Sequence, residues 1–401
     1  MIEYINFKNY KSFKDQQNLL VRPLTILIGK NSSGKSALAK LPTLIEGSLS
    51  GNFSEALLVE NDGVELGAEF RDLVYGRDIG SLEIGLGHKE NLLNIEVAIG
   101  IKDKDLPQIR KWNLNNTYLT YNDQDHKYYT PSKEKSYLCE FNGFNLISIT
   151  PKDVINNVPL LRELGLFLQT NYIGPFRQIP NRTHNISGAS KLTKIGTKGE
   201  NAYKLLIRDY LYNNGELLKK VSEWYQNNFD GWGVMVNTTS SPDYKIEIFR
   251  DNPKFSINIR DVGEGMSQAL PLVISAFIEH PEQTLTIIEQ PELHLHPAAH
   301  GNLAELFAMA TLKKRKFLIE THSQNFVLRI RRLIAEGEID KDDVIIYSVE
   351  YDEENNKSHL KEITIDAYGR VSYWPENVFS ETLDEAIAIR NAQINKKGNE
   401  N

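Results

Sequence analysis

The apolar run Leu24-Thr25-Ile26-Leu27-Ile28, followed at once by Gly29-Lys30-Asn31-Ser32-Ser33-Gly34-Lys35-Ser36, constrains this chain more than any other segment. It reads as a buried strand that turns through a phosphate-binding loop. Glycine lets the backbone close tightly, so that successive N–H groups face an anion. Lys35 brings a point charge to the β and γ phosphates, and the Ser36 hydroxyl is a candidate ligand of Mg2+. Gly29, Asn31, Ser33 and Gly34 are expected to line the rest of the cradle. Ala37-Leu38-Ala39-Lys40 then opens a helix whose positive end faces the anion. A bound nucleoside triphosphate with Mg2+ is the chemistry that this pattern requires.

At 401 residues the chain exceeds one ordinary core, which implies two domains or one domain with a large insertion. Lysine and arginine number 46 against 53 acids, a net charge of −7, so the bulk signature of a dedicated nucleic-acid binder is missing. Two basic runs, Lys313 to Lys316 and Arg329, Arg331 and Arg332, read either as solvated surface or as local anion patches. The single cysteine, Cys139, excludes an internal disulfide and reads as strand packing. No apolar stretch has the length of a membrane span, and the first residues lack the blocks of a signal peptide. No membrane partner and a cytoplasmic location are the expectations.

Residues 24–28, 285–289, 317–319 and 343–349 are apolar without alternation, as strands buried on both faces are. The stretch 37–262 far exceeds what a minimal nucleotide-binding fold inserts. Leu82, Ile84 and Leu86 alternate with other residues, as do Leu93, Ile95, Val97 and Ile99, which predicts a β-hairpin. Helical spacing follows over 158–168, 201–213 and 216–229, then short strands over 234–236, 244–249 and 255–259. Sustained heptads are missing, which excludes a long coiled-coil arm. The expected division is 1–50 and 255–350 for an α/β P-loop head, 51–254 for an inserted α+β lobe, 351–390 for a small C-terminal domain and 391–401 for a disordered tail.

Three further motifs follow in a fixed order. Asp261-Val262-Gly263-Glu264-Gly265-Met266-Ser267-Gln268 is a Gly-rich turn opening a helix through Phe277. Leu285-Thr286-Ile287-Ile288-Glu289-Gln290-Pro291-Glu292 is a strand ending in carboxylates, in which Glu289 is the candidate Mg2+ holder. Phe317-Leu318-Ile319 leads into Glu320-Thr321-His322-Ser323 and sets a histidine at a strand's C-terminal edge. This order, with Ile5 to Phe13, resembles the ABC-type ATPases of the SMC, RecF and OLD kind, above all their compact bacterial AAA-type members. Glu289 to Pro297 is similar to their Walker B and D-loop, and Asp261 to Pro271 to their signature motif. Residues 365–376 resemble their C-terminal domain of unknown function. The resemblance implies two heads sandwiching two ATP molecules, Gly263, Gly265 and Ser267 capping the γ-phosphate of the partner's site, and His322 as switch histidine.

The chain departs from that pattern in two places. Where a glutamate usually polarises the attacking water stands Gln290, whose amide can orient water but cannot take its proton; Glu292 or His322 is left to compensate, and slow hydrolysis is expected. No glutamine lies between Ser36 and Gln108, so the Q-loop residue is missing from its expected place and another acid or a water must complete the Mg2+ shell. Arg177 reads as a phosphate or interface arginine, or as one half of a structural salt bridge. The His294-x-His296 pair lacks the further ligands of a zinc site. The resemblance points to a homodimeric ATPase that controls a separately encoded effector, such as a nuclease in antiviral defence. A slowly hydrolysing scaffold that binds DNA or RNA is the second reading, and a transporter subunit a minor third.

Overall fold

The structure, a computed structural model, describes residues 1–78, 80–99, 106–132, 135–152, 158–186, 192–239, 241–280, 283–375, 378–379, 385 and 387–393. At its centre lies a six-stranded sheet in the order Thr170–Ile173, Leu285–Glu289, Lys316–Glu320, Leu24–Ile28, Val344–Asp352 and Lys357–Ile363. The first five strands run parallel, and the last pairs antiparallel with its neighbour. All five residues of Leu24–Ile28 are buried, because a parallel strand is covered on both faces. Ile26 and Ile28 enter one hydrophobic core and Leu27 the other, so the sheet divides two cores. Each fully buried side chain of this kind contributes about 1.5–3 kcal/mol.

One core lies under a nine-stranded antiparallel sheet running from Asn145–Thr150 to Gln17–Leu20. Its members include Tyr4–Lys8 and the hairpin Leu82–His88 with Asn91–Ile99, so the N-terminal strands and the strands between residues 82 and 150 form one continuous sheet. Helix α1 (Lys35–Leu49) packs into this core through Leu38, Leu41, Leu44 and Ile45. The other core gathers α2 (Ala202–Tyr212), α3 (Glu216–Asn228), α4 (Glu264–Phe277), α5 (Pro297–Thr311) and α6 (Gln324–Glu336), with a small sheet built on Trp232–Asn237 and Asp243–Arg250.

The four expected core strands are all present. The expected helix over 158–168 is not: hydrogen-bonded turns span Leu161 to Gly165. Gly165 sits at φ +76, and a Cβ there would lie 2.1 Å from the His88 ring, so the chain bends where a helix would have continued. The apolar residues Leu161, Leu166 and Leu168 are buried against the antiparallel sheet. Helix α1 starts at Lys35, two residues before Ala37. Residues 387–393 are helical, so the expected disordered tail begins with helix; residues 394–401 lie outside the described ones.

Candidate nucleotide site

The phosphate loop is shaped by what its neighbours leave no room for. Gly29 lies at φ +145, and a Cβ there would sit 2.4 Å from the Val349 carbonyl oxygen. Gly34, at φ +103, would meet Ser12 Oγ at 2.6 Å and the Phe13 ring at 3.1 Å. Helix α1 starts at Lys35 with no side-chain cap and no acid in its first turn, which leaves its leading N–H groups for an anion. The Lys35 ammonium folds back onto the Lys30 carbonyl at 2.5 Å. Burial holds its pKa below the usual lysine value, so a phosphate charge is what this ammonium lacks.

Two acids end adjacent strands in register beside the loop. Glu289 and Glu320 are paired positions, 3% and 2% exposed. Ser36 Oγ donates to the Glu320 carboxylate at 2.9 Å, and Tyr172 Oη donates to Glu289 Oε1 at 2.6 Å. Burial raises the Glu289 pKa, and burial together with the Glu289 charge pushes Glu320 up to about 7. His322 Nε2 stands 3.9 Å from Glu320, its imidazole shifted down by burial and by the Lys35 charge. A pair of buried carboxylates beside a hydroxyl is a set of hard oxygen donors short of positive charge, and it fits Mg2+.

Sequence reasoning missed Glu320 and Tyr172. Glu320 stands in register with Glu289 and accepts from Ser36, and its signal was a carboxylate ending the parallel strand next to Glu289. The strand on the other side of Glu289 is Thr170–Ile173, so the loop that leaves its C-terminal end begins at Gly174, well beyond the glutamine-free stretch 37–107.

Gln290 takes φ +46, a conformation held by its N–H bond to the Glu320 carbonyl at 2.8 Å. The Arg177 guanidinium spans the turn that follows, donating to the carbonyls of Gln290 at 3.4 Å and Leu293 at 3.2 Å. These contacts are structural, but they go to backbone carbonyls and not to the carboxylate of the expected salt bridge. Burial lowers its pKa to about 10, which leaves it charged at neutral pH. Both oxygens of Glu292 are occupied: Thr321 Oγ1 donates to one at 2.9 Å and the His322 N–H to the other at 2.6 Å. Glu292 thus ties the Walker B turn to the histidine segment.

The signature turn forms a second group. Gly263 precedes α4, is exposed, and has nothing within 4 Å of where a Cβ would stand. A Cβ at Gly265 would lie 3.0 Å from the His294 carbonyl, and Glu264 faces His294 Nδ1 at 3.4 Å. Ser267 is buried, its hydroxyl donating to the Glu264 carbonyl at 3.0 Å. Tyr225 donates to the Met266 carbonyl at 2.6 Å, while Tyr203 lies 3.5 Å from the Ser267 carbonyl, which Pro271 has no N–H to serve. The P-loop touches Ser12, Phe13, Glu320, Val349 and Ser358, whereas the signature turn touches the D-loop.

The remaining candidates have structural partners. His296 caps α5 by accepting from the Ala298 N–H. Arg315 donates to the carbonyls of Ala276 and Phe277, Arg331 to that of Gly369, and Arg329 and Arg332 pair with Glu305. Lys313 and Lys314 are exposed. Burial pushes the Cys139 thiol up to about 12, in keeping with strand packing. No described helix is long and apolar enough to cross a membrane.

A family model described as AAA ATPase domain matches residues 1–327, and one described as a protein of unknown function, DUF3696, matches residues 339–387. No curated protein matches the chain. Among solved structures it is similar to an SMC head bound to the C-winged helix domain of ScpA, with TM-score 0.51 and 15% identity over 90% of this chain and 98% of that one. An SMC head with an extended coiled coil bound to the C-terminal domain of ScpA derived from Pyrococcus furiosus gives TM-score 0.47 and 13% identity over 98% and 99% of the two chains. The SMC head domain from Thermotoga maritima gives 0.43 and 12% over 91% and 99%. The first of these shows an SMC head-like P-loop fold, and the match over residues 1–327 shows that the chain belongs to the AAA ATPase domain family.

Proposed function

We propose that this chain is a slow ATPase that works as a nucleotide-dependent switch, two heads closing on two ATP molecules so that the signature turn of one meets the P-loop of the other. The observation that carries the reading is that the two groups have different partners: Lys35, Ser36, Glu289 and Glu320 converge, while Gly263 is exposed with open space beside it and its neighbours Glu264 and Gly265 lie against the D-loop. Ser36, Glu289 and Glu320 would hold Mg2+, whose chemistry when bound is neutralisation of phosphate charge. Gln290 orients water without accepting its proton, and Glu292 is occupied by two donors, so proton removal is weak and the ATP state is long-lived. A switch tied to the γ-phosphate works without fast turnover. The partner is a separately encoded effector, such as a nuclease in antiviral defence; this rests on the resemblance, and the ScpA domain bound to a similar head supports docking of a partner. Steady-state ATP hydrolysis, with Lys35→Ala as the dead control and DNA as a possible stimulant, tests the reading. Turnover below about 1 per second, the low end of the usual enzyme range, is expected; fast turnover overturns the switch, and strong DNA stimulation favours the DNA-bound scaffold.

A further inference from the structure

The region matching DUF3696 begins inside the ATPase sheet. Val344–Asp352 lies parallel to the P-loop strand, with Ser348 opposite Ile28, and Lys357–Ile363 returns antiparallel beside it. The second strand of this hairpin reaches the phosphate loop through Ser358, which is 1% exposed. Its N–H donates to the Ser12 carbonyl at 2.7 Å, and its hydroxyl donates to the Ser33 carbonyl at 2.8 Å. Ser12 is the residue that closes over Gly34, so both ends of the contact bear on the loop.

A loop that turns its N–H groups toward phosphate must turn carbonyls the other way, and a buried carbonyl needs a donor. Ser33 is 2% exposed, so water does not readily supply one. We propose that Ser358 is a positioning residue of the nucleotide site, and that the C-terminal hairpin serves ATP binding by holding the Ser33 peptide in its phosphate-facing orientation. The role rests on the reading of the P-loop as an ATP site. Two other ties hold the same hairpin to the N-terminal segment without touching the loop: Gln17 Oε1 accepts from the Leu360 N–H at 2.8 Å, and Lys357 pairs with Asp15 at 2.8 Å.

Those ties supply the control. ATP affinity would be measured by fluorescence titration of the full chain carrying Ser358→Ala, Ser358→Thr or Gln17→Ala, with melting temperature and amide exchange of residues 29–36 recorded without nucleotide. Loss of the hydroxyl is expected to weaken ATP binding about tenfold and to speed exchange in the loop, the size set by one unsatisfied buried carbonyl. Threonine keeps the donor and stays within about twofold of the unmodified chain, and Gln17→Ala lowers the melting temperature while leaving affinity alone. Should the alanine variant not fold, Ser358→Cys, similar in size but a weak donor, reads the same loss. Equal affinities for the unmodified chain and the alanine or cysteine variant overturn the role of Ser358 alone. An unmodified chain that binds no ATP overturns it together with the nucleotide reading.

Discussion

The two halves of the candidate site differ in how completely one protomer finishes them. Around the P-loop four polar contacts are made within one chain, Lys35 on Lys30, Ser36 on Glu320, Tyr172 on Glu289 and Ser358 on Ser33, while the buried hydroxyls of Ser12 and Ser33 have no protein partner among the described residues. Around the signature turn, Gly263 and Glu264 are exposed, and the one hydroxyl, Ser267, is turned inward. Burying polar groups is costly unless they find partners, so these contacts largely preform the P-loop half, and the unpartnered hydroxyls are what is left to be satisfied there. An exposed glycine with open space before a helix carries no such demand and suits contact with a second molecule.

The largest expected effect breaks the preformed half. Lys35→Ala removes a buried cation of the loop and should lower ATP affinity at least about a hundredfold, as read by nucleotide titration, since charge-assisted contacts of this kind are the strong ones. Next comes the turn that joins the halves. Arg177→Ala strips donors from the Gln290 and Leu293 carbonyls and should destabilise the chain by about 2–4 kcal/mol in urea unfolding, with the Walker B turn loosened first.

Glu320 sharpens the comparison through pH. Its carboxyl titrates near 7 when folded and near 4.5 when unfolded, so between these values the folded chain keeps a proton that the unfolded chain has lost. Stability without nucleotide therefore falls as pH rises through that window, by about 3 kcal/mol at most. In Glu320→Gln the fall should shrink, and chemical unfolding at pH 5 and pH 8 measures the difference. The smallest effect is expected at Glu292→Gln. Its amide oxygen can still accept from the His322 N–H, so stability should drop by only about 1 kcal/mol, with turnover reduced less than by Lys35→Ala.

How much of this was legible in the sequence follows from the range of the contacts involved. The four core strands were readable because burial on both faces writes itself as unbroken apolar runs. The P-loop was readable because its chemistry lies in eight consecutive residues. Glu320, Tyr172 and Ser358 act on residues 284, 117 and 325 positions away, and no local pattern records such pairings. The 158–168 segment misled because its leucines have helical spacing, while Gly165 in the left-handed region and its contact with His88 decide the backbone. The position of Ser267 in the motif was visible, whereas the direction of its hydroxyl depends on the helix around it.

The most direct test of the two-headed site is molecular mass by light scattering with and without ATP, on the unmodified chain and on Gly263→Trp. The open space at Gly263, at φ −56 and ψ 140, accepts a side chain without disturbing the fold, so the variant should still bind ATP. If the signature turn docks on a second P-loop, ATP doubles the mass of the unmodified chain from 45.7 kDa, and the tryptophan variant stays at that value. A chain that remains monomeric at saturating ATP, or a Gly263→Trp variant that dimerises as readily, would contradict it.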